Sequence, residues 1–317
     1  MKRLILLTIV ALSLMAAPAN AASIFGIAPH VPDMTQAQDN RLASTGADNI
    51  RVVVNINNVR RSDGTYNWTL SDDRIYKGAT AQLQPIVILS GLTTWTTQTS
   101  AQWRSFVDAI VQRYKPGGTF WQQHPTLSVQ PVVWVAGNEP NVPRFWKGTV
   151  GQFASLVQST ANVAHQEQYG AKVVVGGMSP SNGVQYLSQV LPRVKASSIF
   201  GVAYHPYAPA ADGATDYVRR VRSTLLANNM GTKSILIDEV GWSTQDIGEQ
   251  AQADRMQAFF KSMHSYQSAW HIYCVLWYGF QDSNTGSGIG LNNYGGLFRV
   301  DGTAKPSWTV FKSFARL

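Results

Sequence analysis

The stretch Gln130 to Pro140, QPVVWVAGNEP, decides the fold. Its β-branched and aromatic run is too apolar for a sheet with one wet face. It reads as a strand buried on both faces, as in a parallel sheet. The run stops at Gly137-Asn138-Glu139-Pro140, where Pro140 has no N–H to give to a ladder. A carboxylate is thereby set at the C-terminal rim of a buried strand. A second such run, Ser234 to Val240, leads into Asp238-Glu239-Val240-Gly241-Trp242. Two glutamates at the carboxyl ends of two parallel strands lie on one side of one sheet, which suits acid/base and nucleophilic chemistry on a sugar acetal.

Outward from these two strands the chain alternates without exception. Strands are expected at Ile24–His30, Asn49–Asn55, Leu83–Gly91, Val129–Pro140, Lys172–Pro180, Ile199–Tyr207, Ser234–Trp242 and Tyr273–Asp282. Helices are expected at Thr35–Thr45, Thr69–Gln82, Ser100–Tyr114, Thr149–Tyr169, Val184–Val194, Thr215–Asn228, Gly248–Tyr266 and Pro306–Ala315, the last with proline at its start. Strict alternation implies right-handed βαβ units and a parallel sheet. Eight units make an α/β fold, a single (β/α)8 TIM barrel spanning residues 22–317. A doubly wound open sheet is disfavoured, because no glycine-rich phosphate loop follows an early strand.

The 317 residues are 44% hydrophobic and 14% charged, ample for one large core. Lys2 and Arg3, an apolar run from Leu4 to Met15 and the small-x-small triplet Ala19-Asn20-Ala21 read as a secretory signal peptide over residues 1–21. That run is too short for a membrane span. A secreted or periplasmic protein is expected, and a monomer. The single cysteine, Cys274, cannot close an internal disulfide and reads as a buried inert thiol. The formal charge of +8 is scattered. It reads as a solvated basic surface, or more sharply as attraction to acidic wall or matrix polymers; no basic run or motif points to nucleic acid. The 6 histidines show no metal-ligand spacing and no G-x-S-x-G elbow is present, so neither a metal site, a cofactor nor a serine hydrolase is expected.

In such a barrel the chemistry sits at the C-terminal strand ends. Those ends offer His30, Arg51 to Asn55, Ser90, Asn138, Glu139, Ser179, His205, Tyr207, Glu239, Trp277 and Tyr278. Alternation groups Glu139 with Gly137 and Val135, and Glu239 with Ile237 and Ile235. Strands four and seven face each other across the mouth. If both glutamates lean inward, their carboxyls approach to about 5–5.5 Å, the separation of a retaining glycosidase. The plainer readings are rim carboxylates in salt bridges, a core tryptophan at 277 and a structural histidine at 205.

These residues resemble the retaining glycoside hydrolases of clan A, over the whole mature chain. The closest similarity is to families 39 and 5. Gly137-Asn138-Glu139-Pro140 is similar to that clan's strand-four motif, whose glutamate is the general acid/base. Asp238-Glu239-Val240-Gly241-Trp242 is similar to the strand-seven motif, whose glutamate is the nucleophile. His205-Pro206-Tyr207, Trp277 and Arg51 match its strand-six, strand-eight and strand-two residues, and the tail from Gly296 to Trp308 resembles the run after strand eight. The resemblance implies a secreted enzyme that cleaves β-glycosidic bonds by double displacement. Glu139 then carries a proton to the leaving oxygen, and Glu239 attacks ionised, kept so by Arg51 and the Tyr207 hydroxyl. Asn138 holds the neighbouring sugar hydroxyl, and Trp277 offers an aromatic face to the ring. His30 and Trp242 join the substrate contacts. The loop aromatics Trp95, Trp121, Trp146, Trp242 and Tyr294, with the loop Gln281–Gly296, suggest a groove for several sugars and endo action on a polymer. Transfer of the glycosyl unit to another sugar, or a non-catalytic carbohydrate-binding barrel, are the other two readings.

Overall fold

The structure, a computed structural model, describes residues 23–30, 33–128, 130–284 and 291–317. The signal-peptide segment therefore lies outside the described residues, as does part of the loop Gln281–Gly296. Eight parallel strands, β1 (Phe25–Ala28), β2 (Asn49–Asn55), β3 (Gln84–Ser90), β4 (Val133–Asn138), β5 (Lys172–Met178), β6 (Gly201–Tyr204), β7 (Ser234–Val240) and β8 (Ile272–Tyr278), hydrogen-bond in chain order and close into a barrel. Closure is made by β1 against β8, with Gly26 opposite Leu276 and Ala28 opposite Tyr278.

The period of 2 in a strand sorts side chains into two cores. Ile86, Ile88, Val133, Val135, Leu236 and Leu276 fill the barrel interior. Ile50, Val52, Trp134, Val175, Ile237 and Trp277 face the surrounding helices. Both faces are apolar, which is why QPVVWVA shows no alternation. The helices pack on the outer face through their own stripes; Val150–Glu167, for example, buries Phe153, Leu156, Val157, Thr160, Ala161 and Ala164. Thr35, Thr96 and Thr149 each open a helix with a reciprocal capping box, their side chains accepting from the backbone three residues on.

Strands end earlier than the apolar runs suggest. β4 begins at Val133, β6 stops at Tyr204 and β8 at Tyr278. Glu139, His205 and Tyr207 thus sit just beyond their strands, on short connections. Backbone irregularities also fall between Val175 and Met178 on β5 and between Ile237 and Val240 on β7. Cys274 is buried and free, with burial pushing its thiol well above the usual range. Trp121 is not at the mouth: it lies in a short helix, Thr119–Gln123, 4% exposed, with its indole N–H donating to the Tyr114 carbonyl at 2.8 Å.

Candidate active site

At the C-terminal end of the barrel six ionisable side chains converge. The Arg51 guanidinium reaches Glu239 Oε1 at 2.8 Å and donates to Asn138 Oδ1 at 2.6 Å. The Tyr207 hydroxyl donates to the other Glu239 oxygen at 2.7 Å. The His205 ring donates from Nδ1 to Glu139 Oε1 at 3.0 Å and stands 3.6 Å from Glu239 Oε2. Asp238, fully buried, lies beneath, 3.2 Å from His205 Nε2 and 3.5 Å from Arg51 Nε. The nearest ligand atoms of Glu139, His205 and Glu239 all fall within 4.8 Å of one another. The two carboxyls have therefore met, with a histidine wedged below them.

Local backbone puts them there. Glu139 adopts φ 45°, a left-handed value uncommon for a residue with a Cβ and worth about 1–3 kcal/mol of strain. Its N–H donates to the Gly177 carbonyl at 2.7 Å, and its own carbonyl accepts from Val142, so the turn is fixed on both sides. Asn141 clamps the same loop to β5, donating to the Ser179 carbonyl and accepting from the Ser179 N–H, each at 3.0 Å. On β7, Ile235 and Ile237 face the helices and Leu236 faces the barrel interior. Alternation would send Glu239 outward with Ile237. The irregularity between Ile237 and Val240 turns it into the mouth instead, while Asp238 keeps its inward place.

Two glycines of β5 make room. A Cβ on Gly177 would stand 2.3 Å from His205 Nε2 and 2.8 Å from Asp238 Oδ1, and one on Gly176 would stand 2.5 Å from the Gly137 carbonyl. No role was assigned to this pair from sequence; adjacent glycines inside a strand pattern were the signal.

The electrostatics follow from burial and partners. Burial works against a charged His205, but the Glu239 and Asp238 charges outweigh it and push the imidazole up to about 10. Burial likewise works against the Asp238 carboxylate, yet His205 and Arg51 hold it below its ordinary range. Burial and then the Glu239 charge raise the Tyr207 hydroxyl well above its usual value, so it serves as a donor. At neutral pH two cations, Arg51 and His205, therefore face Asp238 and the two glutamates. His30, in contrast, is lowered chiefly by burial and is neutral there, with Nδ1 3.1 Å from the Tyr278 hydroxyl.

One candidate moves. Trp277 is 0% exposed; its indole donates to the Gly295 carbonyl at 2.9 Å and packs against Trp242 and Phe260 in the helix layer. It faces away from the mouth, because Val275 and Trp277 lie on the outer face of β8 while Cys274 and Leu276 lie on the inner one. The aromatic at the mouth is its neighbour Tyr278, half-buried, 6.3 Å from the Tyr207 ring and perpendicular to it. Trp242 is 5% exposed and lines a cavity of about 560 Å³ beside Tyr207 and Ala208, its indole tied to the Ala208 carbonyl. His30 lines another of about 490 Å³ with Arg51, Val53 and Tyr278. A third, of about 360 Å³, is bounded by Arg51, Asn138, Pro140, Arg144, Phe145 and Trp146 among others. Each of the three hollows is lined by Arg51 or Tyr207, the two residues bonded to Glu239, and none by either glutamate itself.

No protein-family model and no curated protein matches the chain in sequence. Solved structures do. A family 39 glycoside hydrolase from the gut symbiont Bacteroides cellulosilyticus WH2 superposes with a TM-score of 0.72 at 15% identity, over 93% of this chain and 63% of its own length. A monomeric β-xylosidase from Caulobacter crescentus CB15 gives 0.71 at 18% identity, over 94% of this chain and 68% of that one. An endo-β-1,4-glucanase from Xanthomonas axonopodis pv. citri gives 0.67 at 12% identity, over 93% and 98% of the two chains. The chain spans less than two thirds of the first of these proteins and nearly all of the third. It has the (β/α)8 barrel fold that these enzymes share.

Proposed function

We propose that the protein is a retaining glycosidase that cleaves β-glycosidic bonds by double displacement, with Glu239 as nucleophile and Glu139 as acid/base. The observation that carries this reading is the approach of the two carboxylates to within 4.8 Å across His205. That is the short separation expected when one carboxylate attacks directly and leaves no room for an intervening water. Arg51 and Tyr207 both bond to Glu239, fixing it for attack at the anomeric carbon. Among the described residues Glu139 has no arginine or lysine partner; its contact is His205, which also faces Glu239. When Glu139 carries the proton that the first step needs, Arg51 and His205 balance Asp238 and Glu239. The site is then neutral as a whole, which suits a buried cluster. Attack by Glu239 on C1 breaks the glycosidic bond as the Glu139 proton passes to the leaving oxygen. Glu139, now ionised and stabilised by the His205 N–H, takes a proton from water as that water releases the sugar from Glu239.

Asn138, whose amide oxygen is held by Arg51, presents its NH2 group toward a sugar hydroxyl, and Tyr278 supplies the aromatic wall. The three hollows support a multi-unit glycan as substrate, hence endo action, and the N-terminal segment supports secretion. Trp146 and Trp242 are largely buried and tied to backbone carbonyls, so they offer little to a sugar acceptor and the transfer reading gains nothing from them. Glu239→Gln is expected to lower kcat/KM by about four orders of magnitude or more, the scale of loss when a covalent nucleophile is removed. Glu139→Ala is expected to retain turnover only on substrates with activated leaving groups, restored by added azide. Normal hydrolysis of a glycan panel by Glu239→Gln overturns the assignment.

A further inference from the structure

The loop that carries Glu139 also carries a cation with no carboxylate paired to it among the described residues. Arg144 lies five residues on, its guanidinium stacked 4.4 Å over the Phe145 ring. It lines the cavity of about 360 Å³ that Arg51 and Asn138 also bound, and no carboxylate lines that cavity. Every Asp and Glu of the chain is among the described residues. None of them pairs with Arg144, or with Lys147 three positions further along the same loop, and among the described residues the Arg144 N–H groups make no hydrogen bond.

The other arginine of this cavity differs. Arg51 is buried and committed to Glu239, Asp238 and Asn138. Of the amides nearby, Asn55 accepts from the Asn57 N–H and Asn57 donates to the Gly91 carbonyl; none of them carries charge. Arg144 is thus the cation of the hollow that has no anion partner among the described residues, and its fork of donors matches a carboxylate in geometry.

The loop is rigid enough for this to matter. Phe145 and Trp146 N–H groups both donate to the Val142 carbonyl, and Lys147 N–H donates to Thr93 O at 2.8 Å. Trp146 is 5% exposed beneath the loop. The backbone that carries Arg144 is thus fixed, and the exposed side chain itself rests on the Phe145 ring.

We infer that this hollow is a subsite for a negatively charged sugar unit, a uronate carboxylate held by Arg144, so that the substrate is an acidic glycan. The inference rests on the glycosidase reading above and adds the substrate class to it. It also gives the formal charge of +8 a use, because a basic protein gathers acidic polymer to its surface.

The test uses the full chain carrying Glu239→Gln, which binds without turning over, and two probes. One is an oligosaccharide containing β-linked glucuronate; the other is the same molecule with its carboxyl reduced to the neutral alcohol. Calorimetry is expected to show the acidic form binding about tenfold more tightly at low salt, the difference shrinking as salt rises. Arg144→Gln in that background is expected to abolish the difference while leaving affinity for the reduced form unchanged, and Arg144→Lys to restore part of it. Equal binding of the two forms, binding of neither, or a preference that survives Arg144→Gln overturns the inference. Turnover by the unmodified enzyme separates the two readings. Cleavage of neutral glycans without charge preference removes the subsite and leaves the chemistry, whereas charge preference with no cleavage of any glycan removes the chemistry and leaves the subsite.

Discussion

Asp238 touches neither candidate catalytic oxygen, yet both cations of the site stand on it. His205 Nε2 is 3.2 Å away and Arg51 Nε 3.5 Å, in a place with no access to water. An anion there helps keep the histidine doubly protonated, so that its Nδ1–H stays a donor to Glu139. Asp238→Asn keeps the shape and removes the charge. The His205 proton is then lost at lower pH, and the alkaline limb of the kcat/KM profile is expected to move down by about one pH unit or more. Stability at pH 7 is expected to fall by about 3–5 kcal/mol, the scale for breaking a buried charge pair. A profile with an unmoved alkaline limb, in a variant that folds, contradicts this role. Sequence showed Asp238 only as the neighbour of Glu239. That its side chain underpins two residues from other strands depends on contacts that no local pattern encodes.

β8 separates what an element's pattern says from where its register points. Tyr273-Cys274-Val275-Leu276-Trp277-Tyr278 is apolar throughout, so the run announces a strand but not which residues face inward. Cys274 and Leu276 fill the barrel interior and Tyr278 follows them to the mouth, while Trp277 packs among helices. Two substitutions tell the faces apart. Trp277→Ala is expected to cost about 3–5 kcal/mol in denaturant unfolding, the range for emptying a large aromatic site. Tyr278→Ala is expected to leave stability within about 1–2 kcal/mol and to raise KM instead, since the ring is half-buried at the rim. The opposite pattern returns Trp277 to the sugar. β7 teaches the same lesson in reverse: simple alternation grouped Glu239 with Ile235 and Ile237, and the register shift alone brought it inward.

Across the whole molecule, closure of eight strands brings Arg51, Glu139, His205 and Glu239, spread along 189 positions of sequence, into one cluster, and the fold's stability inherits the cluster's charge. His205 is raised from 6.5 to about 10 on folding. A group raised in this way stabilises fully below its unfolded value and loses that contribution as pH climbs through the folded one. Unfolding free energy is therefore expected to fall between about pH 6.5 and pH 10, by several kcal/mol from this group. Urea midpoints at steps across that range check it, with His205→Gln expected to be less stable at pH 6.5 and to show a shallower decline. Equal slopes for the two proteins count against a charged histidine. Asp238 acts at the other end. Held below its ordinary range, it contributes stability above the usual carboxylate region, and that contribution is lost in acid.

The sequence by itself determined the barrel and the pair at its centre. Eight apolar runs separated by helical stripes admit few arrangements, and Glu139 and Glu239 stand at chain positions where strands must end, next to Pro140 and before Gly241. Asn138, His205 and Tyr207 were legible for the same reason, each a polar group at the end of an apolar run, whereas Arg51, which precedes Val52-Val53-Val54 inside β2, was legible through the family resemblance. Only the tertiary structure decided which way those ends face. Backbone irregularities on β5 and β7, the left-handed turn at Glu139 and the room left by Gly176 and Gly177 set the aim of each side chain. These depend on how neighbouring strands slide and pack once the ring has closed, a matter of contact between segments far apart in the chain.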